Sequence, residues 1–314
     1  MYKKIMLDVI EIVLPVFLVI VLGYTIRRTG LVDGSFFSQV NQLVYYVCLP
    51  LLLIYKIATA DFASSFNFNL VLASSMAVAC CFVIASLYGK WRGFAPPVQG
   101  SFCQGSFRGN LAYIGLAIVF NAYGDEGLTR AGILLGFLVP VLNFFAILAL
   151  LSPRKGVRND PVMITKQIIS NPLILASLLG ILWSFFRLPM PVILDRSLSI
   201  ATGMTLPLAL LSIGGSFSLE KIRGDIWKAS LATFMKLLLM PVIAAGLMLL
   251  LDVKGLDFAI GMLLAGAPTA VATYIMACQM DADGELAATI VMLATACSAV
   301  TYTIMLLYLH SYVI

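Results

Sequence analysis

The sequence predicts an all-α membrane protein of ten transmembrane helices, arranged as two inverted repeats of five. Three observations carry that prediction. Of the 314 residues, 61% are hydrophobic and 11% charged, whereas a soluble domain carries about 25% charge. The apolar runs last ~20 residues or more, the length at which a helix crosses ~30 Å of hydrocarbon; the short alternating strands of an outer-membrane barrel are missing. Finally, landmarks of the first half of the chain return in the second.

Breaks at polar, Gly and Pro clusters give spans at 6–27, 36–56, 68–88, 94–122, 128–151, 168–187, 191–217, 228–251, 256–280 and 286–311. Lys3 and Lys4 ahead of the first span look like the start of a secretory leader. Asp8 and Glu11 interrupt its core, however, and "VLGYTIRRTG" offers no small-residue cleavage site, so 6–27 reads as a permanent span. The longest hydrophilic stretch, "SPRKGVRNDPVMITKQ" (152–167), is too short to be a domain. It separates a first repeat, 1–151, from a second, 168–314.

The repeat rests on three landmarks. Pro15 and Gly23 in "LPVFLVIVLG" recur as Pro172 and Gly180 in "NPLILASLLG", 157 residues later. "LPLLL" (49–53) recurs as "LPLAL" (206–210) at the same offset. At an offset of 158, "GNLAYIGLAIVFNAYGDEGL" (109–128) lies over "APTAVATYIMACQMDADGEL" (267–286). Five spans is an odd number, so the second half enters the membrane from the opposite side, the plan of many secondary transporters. The loops after spans one, three, five and seven carry eleven Lys and Arg, and the opposite side, with both termini, carries seven. This bias predicts both termini outside and the central loop in the cytoplasm.

Several function classes drop out. The net charge of +5 is accounted for by these loop residues and needs no nucleic acid. The six cysteines fall inside apolar spans and read as small core residues. None is spaced with histidine for a metal, and the one histidine, His310, is nearly terminal. With no buried Asp or Glu either, an intramembrane enzyme lacks its nucleophile and base, and no cofactor or metal is expected.

Two basic residues lie within spans, Arg108 and Lys236. Arg108, about fourteen residues into "94–122", is too deep for easy snorkelling. Its insertion costs at least ~2.5–3.5 kcal/mol, so it should face water, an anion or a partner. Gly105 and Gly109 weaken the helix around it, and Asn110 suits the N-cap of a new helix starting at Leu111. In the aligned ninth span Asn110 falls on Pro268, a residue tolerated in a helix's first turn. Both spans thus read as broken at matching positions. Two half-helix N-termini near the midplane offer partial positive charge, and a guanidinium adds a bidentate grip for a carboxylate. A bracing role, in which Arg108 binds carbonyls freed by the break, is the other reading.

Lys236, about two turns into the eighth span, reads as a snorkelling residue. Asn41 reads as a helix–helix hydrogen-bonding residue, Asn143 as either that or a substrate contact, and Thr269, just after the break, as a substrate contact. Pro15, Pro50, Pro140, Pro172, Pro207 and Pro241 read as kinks or turn ends.

The stretches "VNQLVYYVCLPLLL" (40–53), "FRGNLAYIG" (107–115), "SNPLILASLLG" (170–180), "LPLALLSIGG" (206–215), "MKLLLMP" (235–241) and "AGAPTAVAT" (265–273) resemble the auxin efflux carrier family in its compact bacterial form. The resemblance implies a fold shared with bile-acid sodium symporters, with spans four and nine crossing at their breaks. It implies a scaffold of spans one, two, six and seven that dimerises, a moving domain of the other six, and small carboxylates as substrates. Asn110 matches a crossover asparagine, Pro268 the second crossover proline, and Asn143 a fifth-span asparagine near substrate. Here the fourth-span break is Arg-Gly-Asn without the proline of plant carriers, which speaks against auxin itself, and the long hydrophilic loop of plant members is missing.

The expected function is elevator-type alternating access for a small mono- or dicarboxylate across the cytoplasmic membrane. The expected partners are that anion, membrane lipids and a second copy of the chain. The expected substrate site is Arg108, Gly109, Asn110, Asn143, Pro268 and Thr269, braced by Gly105, Asn41, Pro50 and Pro207. Sodium-coupled symport and a ligand sensor without transport are the alternatives. The sensor lacks the soluble domain or long tail it would signal through.

Overall fold

The computed structural model describes residues 2–151, 153, 170–217 and 224–312, so the central loop, 152–167, lies outside the described residues apart from Pro153. Every regular element among the described residues is helical, and one isolated two-residue bridge replaces any sheet. The helices are α1 (Tyr2–Arg28), α2 (Gly34–Leu43), α3 (Leu49–Ala58), α4 (Phe62–Ser65), α5 (Phe68–Trp91), α6 (Pro96–Gly105) and α7 (Leu116–Leu151). After the central loop come α8 (Pro172–Phe185), α9 (Val192–Gly203), α10 (Thr205–Ser216), α11 (Ile226–Phe234), α12 (Met240–Leu250), α13 (Gly255–Ala265), α14 (Val271–Gln279) and α15 (Gly284–Tyr312).

Among the described residues, seven helical segments are long and apolar enough to cross a membrane, against the ten expected. The difference has physical causes. Residues 106–110 and 266–270 are not helical, which leaves α6 and α13 as pieces of 10 and 11 residues. The expected spans 94–122 and 128–151 are joined into one continuous segment, Leu111–Leu151, that bends at Gly124 (φ 60°, ψ −150°). That backbone conformation is open to glycine and strained for any other residue.

Two other interruptions are π-turns. Val44–Cys48 joins α2 to α3, and Met235–Leu239 joins α11 to α12. Each is followed by one residue and then a proline, Pro50 and Pro241. A proline ring clashes with the carbonyl four residues back and offers no N–H to it. The wider i→i−5 turn takes up that clash, with Leu49 N bonded to Val44 O and Met240 N to Met235 O.

By spatial packing the chain falls into two compact units, each drawn from both halves of the sequence. The first comprises Met1–Phe68, Ala112–Val139 and Ile169–Phe217. In it α1 packs on α10 and α3 on α8, and the contacts are reciprocal. A Cβ on Gly23 would strike the carbonyl oxygen of Leu211, and one on Gly180 would lie 3.2 Å from that of Ile54. Gly23 to Gly180 and Ile54 to Leu211 are the same step of 157 residues. The second unit comprises Asn69–Leu111, Pro140–Ile168 and Ser218–Ile314. There α11 and α14 pack on α15, and α12 on α13.

The cysteines depart from expectation. Cys48, Cys81 and Cys103 are buried, but Cys80, Cys278 and Cys297 are exposed; all six are free thiols. Hydropathy places a residue in the bilayer without saying which helix face it occupies, and an outward apolar face is stable against lipid.

Candidate functional site

The site grows from two interruptions inside the second unit. Gly105 ends α6 and helix resumes at Leu111 with a π-turn, Leu111–Gly115. Ala265 ends α13 and helix resumes at Val271. Between these ends, two short extended pieces meet as an antiparallel bridge, Gly109 opposite Thr269. Asn110 N donates to Pro268 O (2.7 Å), and Ala270 N donates to Arg108 O (2.9 Å). Main-chain groups released by the two breaks thus satisfy each other, as a buried backbone requires.

This pairing corrects the register read from the sequence. The hydrogen bonds pair Asn110 with Pro268 and Arg108 with Ala270, and the two bonds match each other when Asn110 is set on Ala270 as donor and Arg108 on Pro268 as acceptor, an offset of 160. The helix ends agree, Gly105 with Ala265 and Leu111 with Val271. The offset of 158, which set Asn110 on Pro268, came from aligning apolar residues of low identity, and such residues fix register poorly. Pro268 consequently lies in the extended connector and not in the first turn of α14. Its carbonyl is used there and its missing N–H is not required. Ala270, before Val271, supplies no side-chain cap, so the first N–H groups of α14 lack that partner.

Arg108 projects from this bridge and is half-buried. Its Nη2 donates to Asn143 Oδ1 (2.9 Å), and Nη1 lies against the thioether of Met276. With the Gln104 amide oriented so that its oxygen faces the guanidinium, Oε1 accepts from Arg108 Nη1 (3.1 Å) and Nε2 donates to Thr273 O (3.2 Å). Two neutral amides therefore hold the plane of the guanidinium. Asn143, from the end of α7 that follows Pro140, is half-buried beside it.

The remaining expected residues divide. Asn110 is buried, and Thr269 is fully buried with its hydroxyl donating to Gly105 O (2.8 Å). That bond staples the carbonyl end of α6 to the second connector. Asn41, Pro50 and Pro207 belong to the first unit. There Asn41 Oδ1 accepts from Tyr113 Oη (2.7 Å), a helix–helix bond, and Thr205 Oγ1, two residues before Pro207, donates to Cys48 O (3.2 Å), two before Pro50.

Lys236 overturns its snorkelling assignment. It is fully buried, and its Nζ donates to Ala265 O (2.6 Å) at the end of α13. A Cβ on Gly109 would lie 3.2 Å from Lys236 Cε, so the lysine stem crosses the first connector as well. Distance from the start of a span had suggested the surface; the face of the helix decides otherwise. The one sequence signal was the proline five residues on, which sets the π-turn carrying Lys236. Gln104 and Met276 carried no such signal.

Among the described residues, no group of three or more His, Cys, Asp or Glu is placed to hold a metal.

A family model described as "Membrane transport protein" matches residues 8–152 and 152–306. An "Uncharacterized transporter" of Methanothermobacter thermautotrophicus is 26% identical over 93% of this chain and 95% of its own. A "Putative malonate transporter" of Rhizobium meliloti is 24% identical over 98% of this chain and 97% of its own. "Auxin efflux carrier component 6" of Arabidopsis thaliana is 26% identical over 41% of this chain and 24% of its own. With several apolar helices of crossing length and relatives named as transporters, not enzymes, the protein is an integral membrane transporter. The chain belongs to the membrane transport protein family, that of the auxin efflux carriers.

Proposed function

We propose that this transporter moves small organic anions, mono- or dicarboxylates of the malonate type, across the cytoplasmic membrane by elevator-type alternating access. In this reading ten helices form two inverted repeats, both termini lie outside, and the two broken spans cross at the Gly109–Thr269 bridge. The scaffold helices pair two copies. Arg108 and Asn143 contact the anion, while the main chain of Gly109, Asn110, Pro268 and Thr269 frames it.

The observation that carries the reading is the Arg108 guanidinium held by the amides of Asn143 and Gln104 at the meeting of two helix breaks. A planar cation with fixed orientation suits a carboxylate, and an open helix start beside it adds favourable potential. The relative named for malonate lends the substrate class. An inside-negative potential favours anion export by about 2.3 kcal/mol per charge per 100 mV.

The test is flux of radiolabelled malonate and related carboxylates into liposomes holding the purified protein alone. Arg108→Ala is expected to lower flux by roughly tenfold or more, in line with ~1.5–3 kcal/mol for a hydrogen bond to a charged group. Arg108→Lys keeps the charge without the fork and should recover part of it. Unchanged uptake of every carboxylate by Arg108→Ala would remove the anion clamp. Binding without flux in the native protein would point to a sensor.

A further inference from the structure

We propose that Met276 is a redox-sensitive modification site, at which oxidation of the thioether to the sulfoxide turns carboxylate transport down. The inference rests on the carrier reading above and adds regulation to it.

Met276 lies on the second turn of α14, in the same unit as Arg108. Its Sδ rests against Arg108 Nη1 and lies 3.6 Å from the side-chain amide of Gln104. Met276, Arg108 and Asn143 are each partly exposed, so none of the three is sealed from small molecules. A thioether is a weak hydrogen-bond acceptor, and the sulfur therefore holds its guanidinium N–H only loosely. That is compatible with an anion taking hold of the same cation.

Oxidation reverses this balance. Hydrogen peroxide transfers one oxygen atom to the sulfur: an S–O bond forms, the O–O bond breaks, the sulfur gives up two electrons and the peroxide leaves as water. The product is a polar side chain in place of an apolar one. Its oxygen is carried on the sulfur that touches Nη1, and it accepts from the guanidinium in a charge-assisted bond, which is shorter and stronger than a neutral one. The charge of Arg108 is unchanged. The sulfoxide holds the guanidinium from within and adds bulk beside it, so an incoming carboxylate meets a competitor. Met6 and Met204 are also exposed, but both belong to the first unit and serve as reference sulfurs.

The experiment treats the purified protein with graded hydrogen peroxide and then with dithiothreitol, which reduces sulfenic acids and disulfides and leaves sulfoxides in place. Mass spectrometry reads the sulfoxide fraction at each methionine. Malonate flux into proteoliposomes and the rise in melting temperature with malonate are measured on the same samples. Native flux is expected to fall in step with the sulfoxide fraction at Met276, and the malonate-induced rise to shrink with it. At the dose that halves native flux, Met276→Leu is expected to keep nearly all of its own untreated flux, whereas Met6→Leu stays as sensitive as the native protein. Met276→Gln, which carries a permanent carbonyl acceptor, is expected without any oxidant to raise the KM for malonate several-fold with a smaller change in kcat. Flux that falls while Met276 stays unoxidised, Met276→Leu losing the same fraction as the native protein, or Met276→Gln with the native KM would each overturn the proposal. Native protein that binds malonate and moves none would instead defeat the carrier reading, and the melting shift before and after oxidation would still judge Met276.

Discussion

At Gly109 a side chain would be crowded: a Cβ would lie 3.0 Å from Leu111 Cδ2 and 3.2 Å from Lys236 Cε, and both would have to give by a few tenths of an ångström. Overpacking of this kind costs ~1–3 kcal/mol, so Gly109→Ala should melt measurably lower than the native protein. Asn143 allows a sharper test. Asn143→Asp sets a carboxylate 2.9 Å from Arg108 Nη2, in the place of the amide oxygen. The internal ion pair then competes with any incoming anion. Malonate flux should fall while the melting temperature holds or rises, and a fall in both would argue against the competition. Asp225 supplies a pH effect away from the site. Its ion pair with Lys228, together with bonds from the backbone N–H of Lys228 (3.1 Å) and Trp227 (3.0 Å), holds its carboxyl below the ordinary value of 3.8. A lowered folded value means the stabilisation is present above the unfolded value and is lost as pH falls through the folded one. Asp225→Asn keeps the helix cap but not the charge. Its deficit in melting temperature should thus be visible near neutrality and vanish in acid.

The π-turns are the elements that sequence reading left out. "VYYVCLP" and "MKLLLMP" each place a proline two residues beyond a five-residue turn, and periodicity alone treats both as plain helix. Pro241→Ala would let Met235–Leu239 wind as α-helix. Dropping one residue from a turn rotates everything before it by about 100°, which carries Lys236 away from Ala265. Loss of flux is expected, with a drop in melting temperature; Pro15→Ala, in a helix with no π-turn, should change little. The helix breaks themselves were legible, because Gly105, Gly109, Asn110 and Pro268 are poor choices for a helix interior. Their exact register was not, since main-chain hydrogen bonds set the offset of 160 and leave no mark on side-chain identity. Arg108 and Asn143 were legible as polar residues at depth. Lys236 was legible as charged but misplaced, because depth along a helix and direction around it are independent.

On the scale of the molecule, the two halves of the sequence and the two compact units are different divisions of one chain. Covalent order records the duplication, and packing records which pieces stay together. The proposed orientation is testable on a cysteine-free background, since the exposed Cys80, Cys278 and Cys297 would otherwise react. A cysteine at Lys254 should be labelled from outside intact cells by an impermeant maleimide, and one at Gly30 only after permeabilisation; the reverse pattern would invert the topology. The bridge between Gly109 and Thr269 has a further consequence. The socket it forms is made of peptide groups, which every sequence shares, and the side chains at 108 and 143 are fittings mounted on it. On the proposed reading, in which Arg108 and Asn143 contact the cargo, preference can drift by exchanging fittings while the joint that holds them is inherited intact.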